Sequence, residues 1–402
     1  TATPRATLIN PMARQLDAIG GPLRIAHAEG VYLYDDTGRS WIDCETGAGV
    51  FGLGHRNPVV SRTFERAIAK VDLGNHHLIS GERAQLAEDL NACIGAGHMC
   101  TVFNVSAAEA IDCAIKFARG VTGKTAIVCA DNAYHGCSGY ALAAGTQPFD
   151  ARPPRSLPGC VRASYGDAEA IARALDTNSD VAAVLIEPIA VEAGCMTPPE
   201  DYVRRVCDTC RAHGVLSIVD ESVTGLGRTG AAFAATHNGA APDVLVAGRA
   251  LGGGVYPIYA TCHREELDAF YVRNPFVHVS TFGGGEVGCA AARTALTELS
   301  RAGLLENVRQ RGEEFRSGVS TLIGGDDSAI RDVRGVGLVN AIELRDASDA
   351  RGMQCALFQC GVLCRRAVLA PQALLFIPPL TITSDQVAVV LDACKFAAWA
   401  VR

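Results

Sequence analysis

The sequence predicts an α/β protein with a large, mostly parallel sheet, and two observations support this class. From about residue 100, strand-like apolar runs alternate with amphipathic helical segments. The runs at residues 181–187 (VAAVLIE), 215–220 (VLSIVD) and 243–248 (DVLVAG) are short and almost continuously apolar. Such runs are typical of strands that are buried on both faces of a parallel sheet. The segment at 107–120 places its apolar residues on one helical face, as expected for a helix between two strands.

The segments on either side predict a smaller α+β domain. Residues 1–60 contain β-rich stretches separated by turns, and residues 61–285 hold the alternating pattern. Residues 286–402 begin with a long helical region, continue with mixed strands and end in a helix from about Ser384. We therefore expect the large domain at 61–285 and a small domain formed from both ends of the chain.

Composition narrows the class of partner. The chain has 402 residues, 49% hydrophobic and 20% charged, with a formal net charge of -7. This balance disfavours nucleic acid and anionic membranes as partners, so a small-molecule substrate is expected. No apolar run has the length of a membrane span and the N-terminus lacks a secretory pattern, which predicts a cytoplasmic protein. Among sixteen cysteines, Cys207 and Cys210 form a CxxC without a second pair, which favours packing over a metal site.

Polar residues at the ends of the predicted strands are the candidates for chemistry. In open parallel sheets, ligands bind beyond the carboxyl ends of the strands. Glu187 and Asp220 each end an apolar run, Tyr134 and His135 follow another within a turn, and Arg249 comes directly after DVLVAG. Any one of them alone could be a helix cap or loop partner. Their convergence from four strands predicts an active site at this edge.

A glycine pattern at residues 225–230 (GLGRTG) matches the GxGxxG spacing of dinucleotide-binding loops. That loop requires a strand leading directly into the glycines and a helix leaving them. Here ESVT intervenes after Asp220 and no periodic helix follows, so we expect a structural loop.

The stretch from Asp220 to Gly254 also resembles class III aminotransferases, in which it runs from the pyridine-binding aspartate to the lysine that binds the cofactor. Further blocks resemble the family in the same order: AYHG at 133–136, VLIEPIAVEAG at 184–194 and STFGGGEVG at 280–288. The resemblance covers nearly the whole chain. It implies a fold-type I, PLP-dependent transferase architecture with a seven-stranded large domain. It also implies a homodimer with active sites at the subunit interface.

Several contacts to pyridoxal phosphate (PLP) are implied by the matching positions. Asp220 would pair with the pyridine nitrogen, Tyr134 would cover the ring face with His135 beside it, and Thr281 would reach the phosphate of the partner subunit. A carboxylate on the ring nitrogen keeps it protonated, which makes PLP an electron sink. The alternative for Asp220 is a bond to backbone amides at the end of a buried strand.

The main departure from the family is Arg249, which stands where the family has its lysine. A permanently protonated guanidinium can neither form the imine bond to PLP nor carry the substrate proton. We therefore expect that transamination by the usual route is excluded.

The cofactor pocket departs from the family pattern as well. Ser106, Ala107 and Ala108 replace a Ser-Gly-Ser/Thr loop, which removes a flexible glycine and a hydroxyl where a helix N-terminus would hold the phosphate. Ser222 replaces a branched apolar residue that packs on the ring. Weakened cofactor binding is the expectation.

The substrate site has changed too. Leu375 occupies the place where many members carry an arginine that binds the substrate carboxylate. Arg365 and Arg366 are possible replacements, although both could equally be surface charges.

Three functional hypotheses remain open. The favoured one is an enzyme without a cofactor, in which Arg249 binds an anion and His135 shuttles protons, with Asp220 and Glu187 as further acid–base groups. It would carry out condensation, cyclisation, elimination or acyl transfer on a small metabolite bearing a carboxylate or phosphate. The second keeps PLP or pyridoxamine phosphate (PMP) bound without a covalent bond, with His135 replacing the lysine in proton transfer. The third is a non-catalytic protein, either a pseudoenzyme whose pocket has decayed or a binding dimer.

Overall fold

Three sheets organise the chain in a computed structural model, which describes residues 24–75, 77–97, 99–146, 160–324 and 328–401. The first part of the predicted small domain, residues 1–23, lies outside this description. In chain order, the strands and helices are β1 (Ile25–Glu29), β2 (Tyr32–Asp35), β3 (Ser40–Asp43), α1 (Pro58–Ile68), α2 (Gly81–Ile94), β4 (Met99–Asn104), α3 (Ala107–Thr122), β5 (Ala126–Ala130), α4 (Gly139–Ala144), β6 (Val161–Ala163), α5 (Ala168–Thr177), β7 (Val181–Ile186), α6 (Tyr202–His213), β8 (Leu216–Glu221), α7 (Ala234–His237), β9 (Val244–Ala247), β10 (Tyr259–Arg264), α8 (Asp268–Arg273), α9 (Glu286–Leu299), α10 (Leu304–Ser320), β11 (Ile330–Val336), β12 (Val339–Leu344), α11 (Ala347–Gln359), β13 (Val362–Leu363), β14 (Arg365–Arg366), β15 (Ala373–Phe376) and α12 (Ser384–Ala400). None of the described helices is long and apolar enough to cross a membrane.

The largest sheet has seven strands in the order β4-β10-β9-β8-β7-β5-β6. Strands β5 to β9 pair in parallel, whereas β10 runs antiparallel to β4 and β9. Every residue of β7 is buried, as its continuous apolar sequence predicts. This arrangement confirms the predicted α/β class with a mostly parallel sheet.

Helix α3 shows how the sequence covers this sheet. Its predicted apolar face is buried, with Ile111 and Ile115 at most 1% exposed. Ser106 caps the first turn by accepting the backbone N–H of Glu109, and Gly123 ends the helix with a φ of 70°. The helix is thereby fixed with its N-terminus at the carboxyl end of β4.

Two four-stranded sheets combine segments from both ends of the chain. One has the order β1-β2-β3-β13, in which Val362 of β13 pairs in parallel with Ile42 of β3. The other has the order β11-β12-β15-β14. The N-terminal and C-terminal segments therefore meet, while the predicted domain boundaries near residues 60 and 285 stay predictions.

The glycine pattern at residues 225–230 and the CxxC pair both lie in closely packed surroundings. The glycines at 225–230 lie in turns between β8 and α7, and a Cβ on Gly230 would come within 2.5 Å of the Arg309 side chain. Both cysteines of the CxxC, Cys207 and Cys210, lie on the buried face of α6 and belong to a hydrophobic core cluster. The loop and the cysteine pair serve packing, as expected.

Candidate active site

A buried carboxylate–imidazole pair lies at the carboxyl end of β8. The Oδ2 atom of Asp220 is 2.8 Å from Nδ1 of His135, and their side chains are 2% and 0% exposed. Oδ1 of Asp220 accepts the backbone N–H of Ser222 at 2.9 Å. Burial opposes ionisation here, but the hydrogen bonds from His135 and Ser222 outweigh it and lower the pKa of Asp220. Asp220 is therefore an anion at neutral pH.

The turn that carries Tyr134 and His135 packs directly against the start of α3. Gly136 has a φ of 132°, and a Cβ on it would lie 2.7 Å from the Cβ of Ala108. Only glycine fits both the backbone angle and the space. The turn and the predicted phosphate loop are therefore neighbours.

The N-terminus of α3 offers backbone donors beside its own cap. Ser106 Oγ accepts the N–H of Glu109 at 3.1 Å, and Glu109 Oε2 accepts the N–H of Val105 at 2.7 Å. The amides of Ala107 and Ala108 belong to the first helical turn, where N–H groups lack partners within the helix and favour anions. The nearby carboxylate of Glu109 opposes a second negative charge. These donors suit a phosphate, and weaker binding than in a loop with a further hydroxyl stays a prediction.

Glu187 follows β7 and touches the same turn. Its Oε2 accepts the backbone N–H of Tyr134 at 3.0 Å. Burial, with repulsion from Asp220, raises the pKa of Glu187 well above its usual value. The Tyr134 hydroxyl lies 3.1 Å from Sγ of Cys137, and burial together with this contact raises the pKa of Tyr134 to about 12. The Tyr134 hydroxyl therefore keeps its proton at neutral pH.

Arg249 begins a short 3-10 turn after β9 with a φ of 44°. This left-handed backbone costs a non-glycine residue about 1 kcal/mol, and such strain concentrates at functional sites. Its NH1 donates to the carbonyl of Gly47 at 3.4 Å, and its buried Nε has no partner among the described residues. The guanidinium lies within electrostatic range of Glu187, Glu192 and the Tyr134 hydroxyl. It therefore lies among the predicted site residues.

A second buried ion pair, which sequence reasoning missed, adjoins this group. Arg365 NH1 and NH2 donate to the two carboxylate oxygens of Glu192 at 2.8 and 2.5 Å, and Arg365 Nε is 3.5 Å from Glu45. Burial opposes the charges, but attraction to Arg365 lowers the pKa of Glu192. In the antiparallel pairing of β14 and β15, Arg365 lies opposite Leu375, the position expected to have lost an arginine. Arg365 is 16% exposed, so the idea that it is a surface charge is wrong.

The two remaining predicted contacts differ in surroundings. Ser222 is buried and bonds to Asp220 through its backbone. Thr281 is exposed beside Phe282, and its carbonyl accepts the N–H of Asn75 at 2.8 Å. Its predicted contact with a partner subunit stays a prediction.

The residues fit PLP in part. An ionised, buried Asp220 suits a protonated ring nitrogen, and the first turn of α3 suits a phosphate. An amine for an imine bond is missing at the end of β9, where Arg249 stands. The chain has four lysines, none of them in this stretch: Lys70, Lys116, Lys124 and Lys395.

The sheet topology, with a buried carboxylate at the carboxyl end of β8, defines an α/β enzyme of the fold-type I class. Comparison with known proteins agrees. The profile of the family described as aminotransferase class-III matches residues 14–397. An uncharacterized aminotransferase of Archaeoglobus fulgidus is 42% identical over 362 residues, covering 90% of this chain and 85% of the relative. The putrescine aminotransferase of Pectobacterium atrosepticum is 37% identical over 371 residues, covering 90% and 79%. This chain belongs to the class III aminotransferase family.

Solved structures show the same fold. An ornithine aminotransferase from Toxoplasma gondii superposes with a TM-score of 0.88 at 30% identity, covering 95% of this chain and 91% of that one. That protein holds PLP at partial occupancy in its active site. The favoured expectation of an enzyme without a cofactor is therefore wrong, because the family to which this chain belongs is PLP-dependent. The expectation rested on Arg249 and on the altered residues at 106–108 and 222, and the loss of a covalent bond does not remove the other contacts.

Proposed function

We propose that this protein is an aminotransferase-family enzyme that binds PLP or PMP without a covalent bond and acts on a small amine. The observation that carries the proposal is a buried, ionised Asp220 at the end of β8 in a site where Arg249, after β9, replaces the lysine of the family. When bound, PLP supplies an electron sink for the substrate carbon next to nitrogen.

The site residues then have distinct roles. Asp220 holds the proton of the ring nitrogen, and His135 keeps the Asp220 carboxylate oriented. The fully buried imidazole gives no support to the expected role of His135 as a proton shuttle, so we assign it a positioning role. Glu187 accepts the backbone N–H of Tyr134 and so fixes the ring-face turn, and its raised pKa favours a role as an acid–base group. Arg249 supplies a fixed positive charge to an anionic group of the cofactor or substrate.

The surroundings of Leu375 favour a cationic substrate end. Two carboxylates, Glu192 and Glu45, face the guanidinium of Arg365, and the guanidinium of Arg249 lies within electrostatic range of Glu192, so neither carboxylate leaves a guanidinium free beside Leu375. Leu375 itself is buried and apolar. Arg365 is already held by Glu192, so a substrate carboxylate would have to break that pair. The second amino group of a diamine is attracted to these carboxylates and does not have to break that pair. The similarity to a putrescine aminotransferase agrees with this substrate class.

A homodimer is part of the proposal. Large apolar side chains are exposed on two linked segments: Leu78 at 74%, Ile79 at 102%, Phe276 at 85% and Phe282 at 49%. The segments are joined because Asn75 bonds to the carbonyls of Thr281 and Gly283. A second copy covering this surface would bring Thr281 to the interface, as the family resemblance implies.

Titration with cofactor tests the proposal. Purified protein is mixed with PLP or PMP, passed over a desalting column and examined by absorbance, with Asp220→Ala as the matched control. We expect cofactor to be retained by the wild type and about tenfold or more weakly by the variant, because the variant loses a charged hydrogen bond. Addition of putrescine should then change the spectrum of the PLP complex. Failure of the wild type to retain either cofactor would overturn the proposal.

A further inference from the structure

A group of three metal-ligating side chains lies near the start of β4, away from the end of that strand at the candidate active site. Among the residues that the structure describes, one set of three has ligand atoms within 4.8 Å of one another: Cys100, His263 and Asp268. We propose that these residues bind a zinc ion or a similar borderline-soft divalent metal.

The sheet itself brings two of the ligands together. Cys100 on β4 and His263 on β10 are direct partners in the antiparallel pairing. Residues directly opposite each other in such a pair project on the same face, with Cβ atoms about 4.5–5.5 Å apart. The thiol and the imidazole are therefore held side by side by backbone hydrogen bonds.

Asp268 completes the set from the next element. A 3-10 turn at Glu265–Leu267 follows β10 and leads into α8, which begins at Asp268. Its Oδ1 lies 3.1 Å from Nε2 of His263. In a tetrahedral zinc site with bonds of about 2.0–2.3 Å, ligand atoms lie roughly 3.3–3.7 Å apart. The ligand atoms here lie within 4.8 Å of one another, so only those pairs that are farther apart than in a zinc site have to move closer.

Packing fixes one ligand and leaves the other two able to adjust. The His263 side chain is 2% exposed, and its ring packs against Phe117 at a centroid distance of 4.4 Å. The Asp268 side chain is 35% exposed and Cys100 is half-buried, so both can rotate towards an ion. A fixed histidine with two adjustable ligands leaves a fourth position for water or another ligand.

The chemistry of the set selects the metal. Thiolate and imidazole favour zinc over magnesium or calcium, which prefer oxygen ligands. Glu265 and Asp268 add negative charge close to the Cys100 thiol, which favours a cation there. Binding converts the thiol to a thiolate and releases its proton to solvent.

The site is separate from the predicted cofactor pocket. Cys100 stands near the start of β4, whereas Asn104 ends that strand on the side of Ser106 and α3. The four residue steps between them span roughly 13 Å. A metal here would join the edge of the large sheet to α8.

Cobalt binding tests this inference. The protein is stripped with a chelator, desalted and titrated with cobalt(II) chloride, which gives a near-ultraviolet thiolate-to-cobalt band when a cysteine binds it. We expect one equivalent of cobalt and this band in the wild type, displaced by zinc. Cys100→Ser should lose the band, and Asp268→Asn should keep it with affinity about tenfold or more weaker. A control variant, Cys355→Ser, removes another half-buried cysteine on α11 and should behave as the wild type does. No cobalt binding by the wild type, or an unchanged band in Cys100→Ser, would overturn the inference.

Discussion

Nδ1 of His135 and Oδ2 of Asp220 are 2.8 Å apart in surroundings that exclude solvent from both side chains. The pair explains how a fully buried carboxylate keeps its charge: a donor on one oxygen and a backbone N–H on the other outweigh the cost of burial. Removing the imidazole therefore removes a cause of the lowered pKa.

His135→Leu should weaken PLP binding by about tenfold or more, because a buried charge loses a hydrogen bond. The pKa of Asp220 should rise in this variant. When the pH is lowered, the variant should therefore lose PLP binding at a higher pH than the wild type does. His135→Gln keeps an N–H donor and should restore part of the affinity. Absorbance titrations from pH 5 to 8 measure this; equal pH profiles for the wild type and the leucine variant would rule out the positioning role.

Stability should depend on the ionisation of Glu221, the residue after Asp220. Glu221 is fully buried and accepts bonds from Thr224 and from the N–H groups of Ala234 and Ala235, yet burial raises its pKa from 4.5 to about 7. A carboxyl with a raised pKa in the folded state contributes most to the free energy of unfolding at pH values below its unfolded pKa. That contribution is lost as the pH rises towards 7. The loss amounts to about 3 kcal/mol.

Urea unfolding of the cofactor-free protein at pH 5 to 8 should therefore show the wild type losing stability relative to Glu221→Gln as the pH rises. Glu65→Gln, a surface change on α1, controls for the removal of a carboxylate. Parallel profiles for Glu221→Gln and the wild type would contradict the expected ionisation.

Substrate preference should follow the charge balance at Glu192. Glu192→Gln removes the carboxylate that pairs with Arg365 and frees that guanidinium, so kcat/KM for putrescine should fall about tenfold or more while that for a carboxylate-bearing amine rises. Glu200→Gln, at an exposed position nearby in sequence, should change neither. Steady-state assays with both substrates check this, and a uniform loss for both substrates would assign Glu192 a merely structural role.

Dimer formation should depend on the exposed apolar side chains near Thr281. Ile79→Asp places a charge in the proposed interface and should shift the protein to a monomer. The monomer should also retain less PLP, because the partner's Thr281 no longer reaches the phosphate. Light scattering after gel filtration measures the mass. Trp399→Asp, at an exposed apolar position on α12, is the control that should stay dimeric, and a dimeric Ile79→Asp would refute the assigned interface.

Periodicity and strand ends predicted the fold because each depends on local sequence. The continuous apolar run of β7 and the one-sided pattern of α3 both appear in the structure, and Asp220 and Glu187 stand at strand ends as their spacing indicated. These features need no knowledge of distant partners.

Contacts between distant segments were not predictable in the same way. Glu192 and Arg365 are 173 residues apart, and only the register of β14 against β15 shows that Arg365 lies beside Leu375. Cys100 and His263 form no spacing motif, because a cross-strand pair brings them together. The burial of His135, on which we base its proposed positioning role, also depends on packing around Asp220.

The nature of the cofactor bond tests the account most directly. The wild type and Arg249→Lys are each incubated with PLP, treated with sodium borohydride and measured by intact-protein mass spectrometry. We expect no covalent addition to the wild type and recovery of its cofactor on denaturation, whereas Arg249→Lys gains one reduced cofactor at position 249. A stoichiometric addition to any of the four lysines of the wild type would contradict the account.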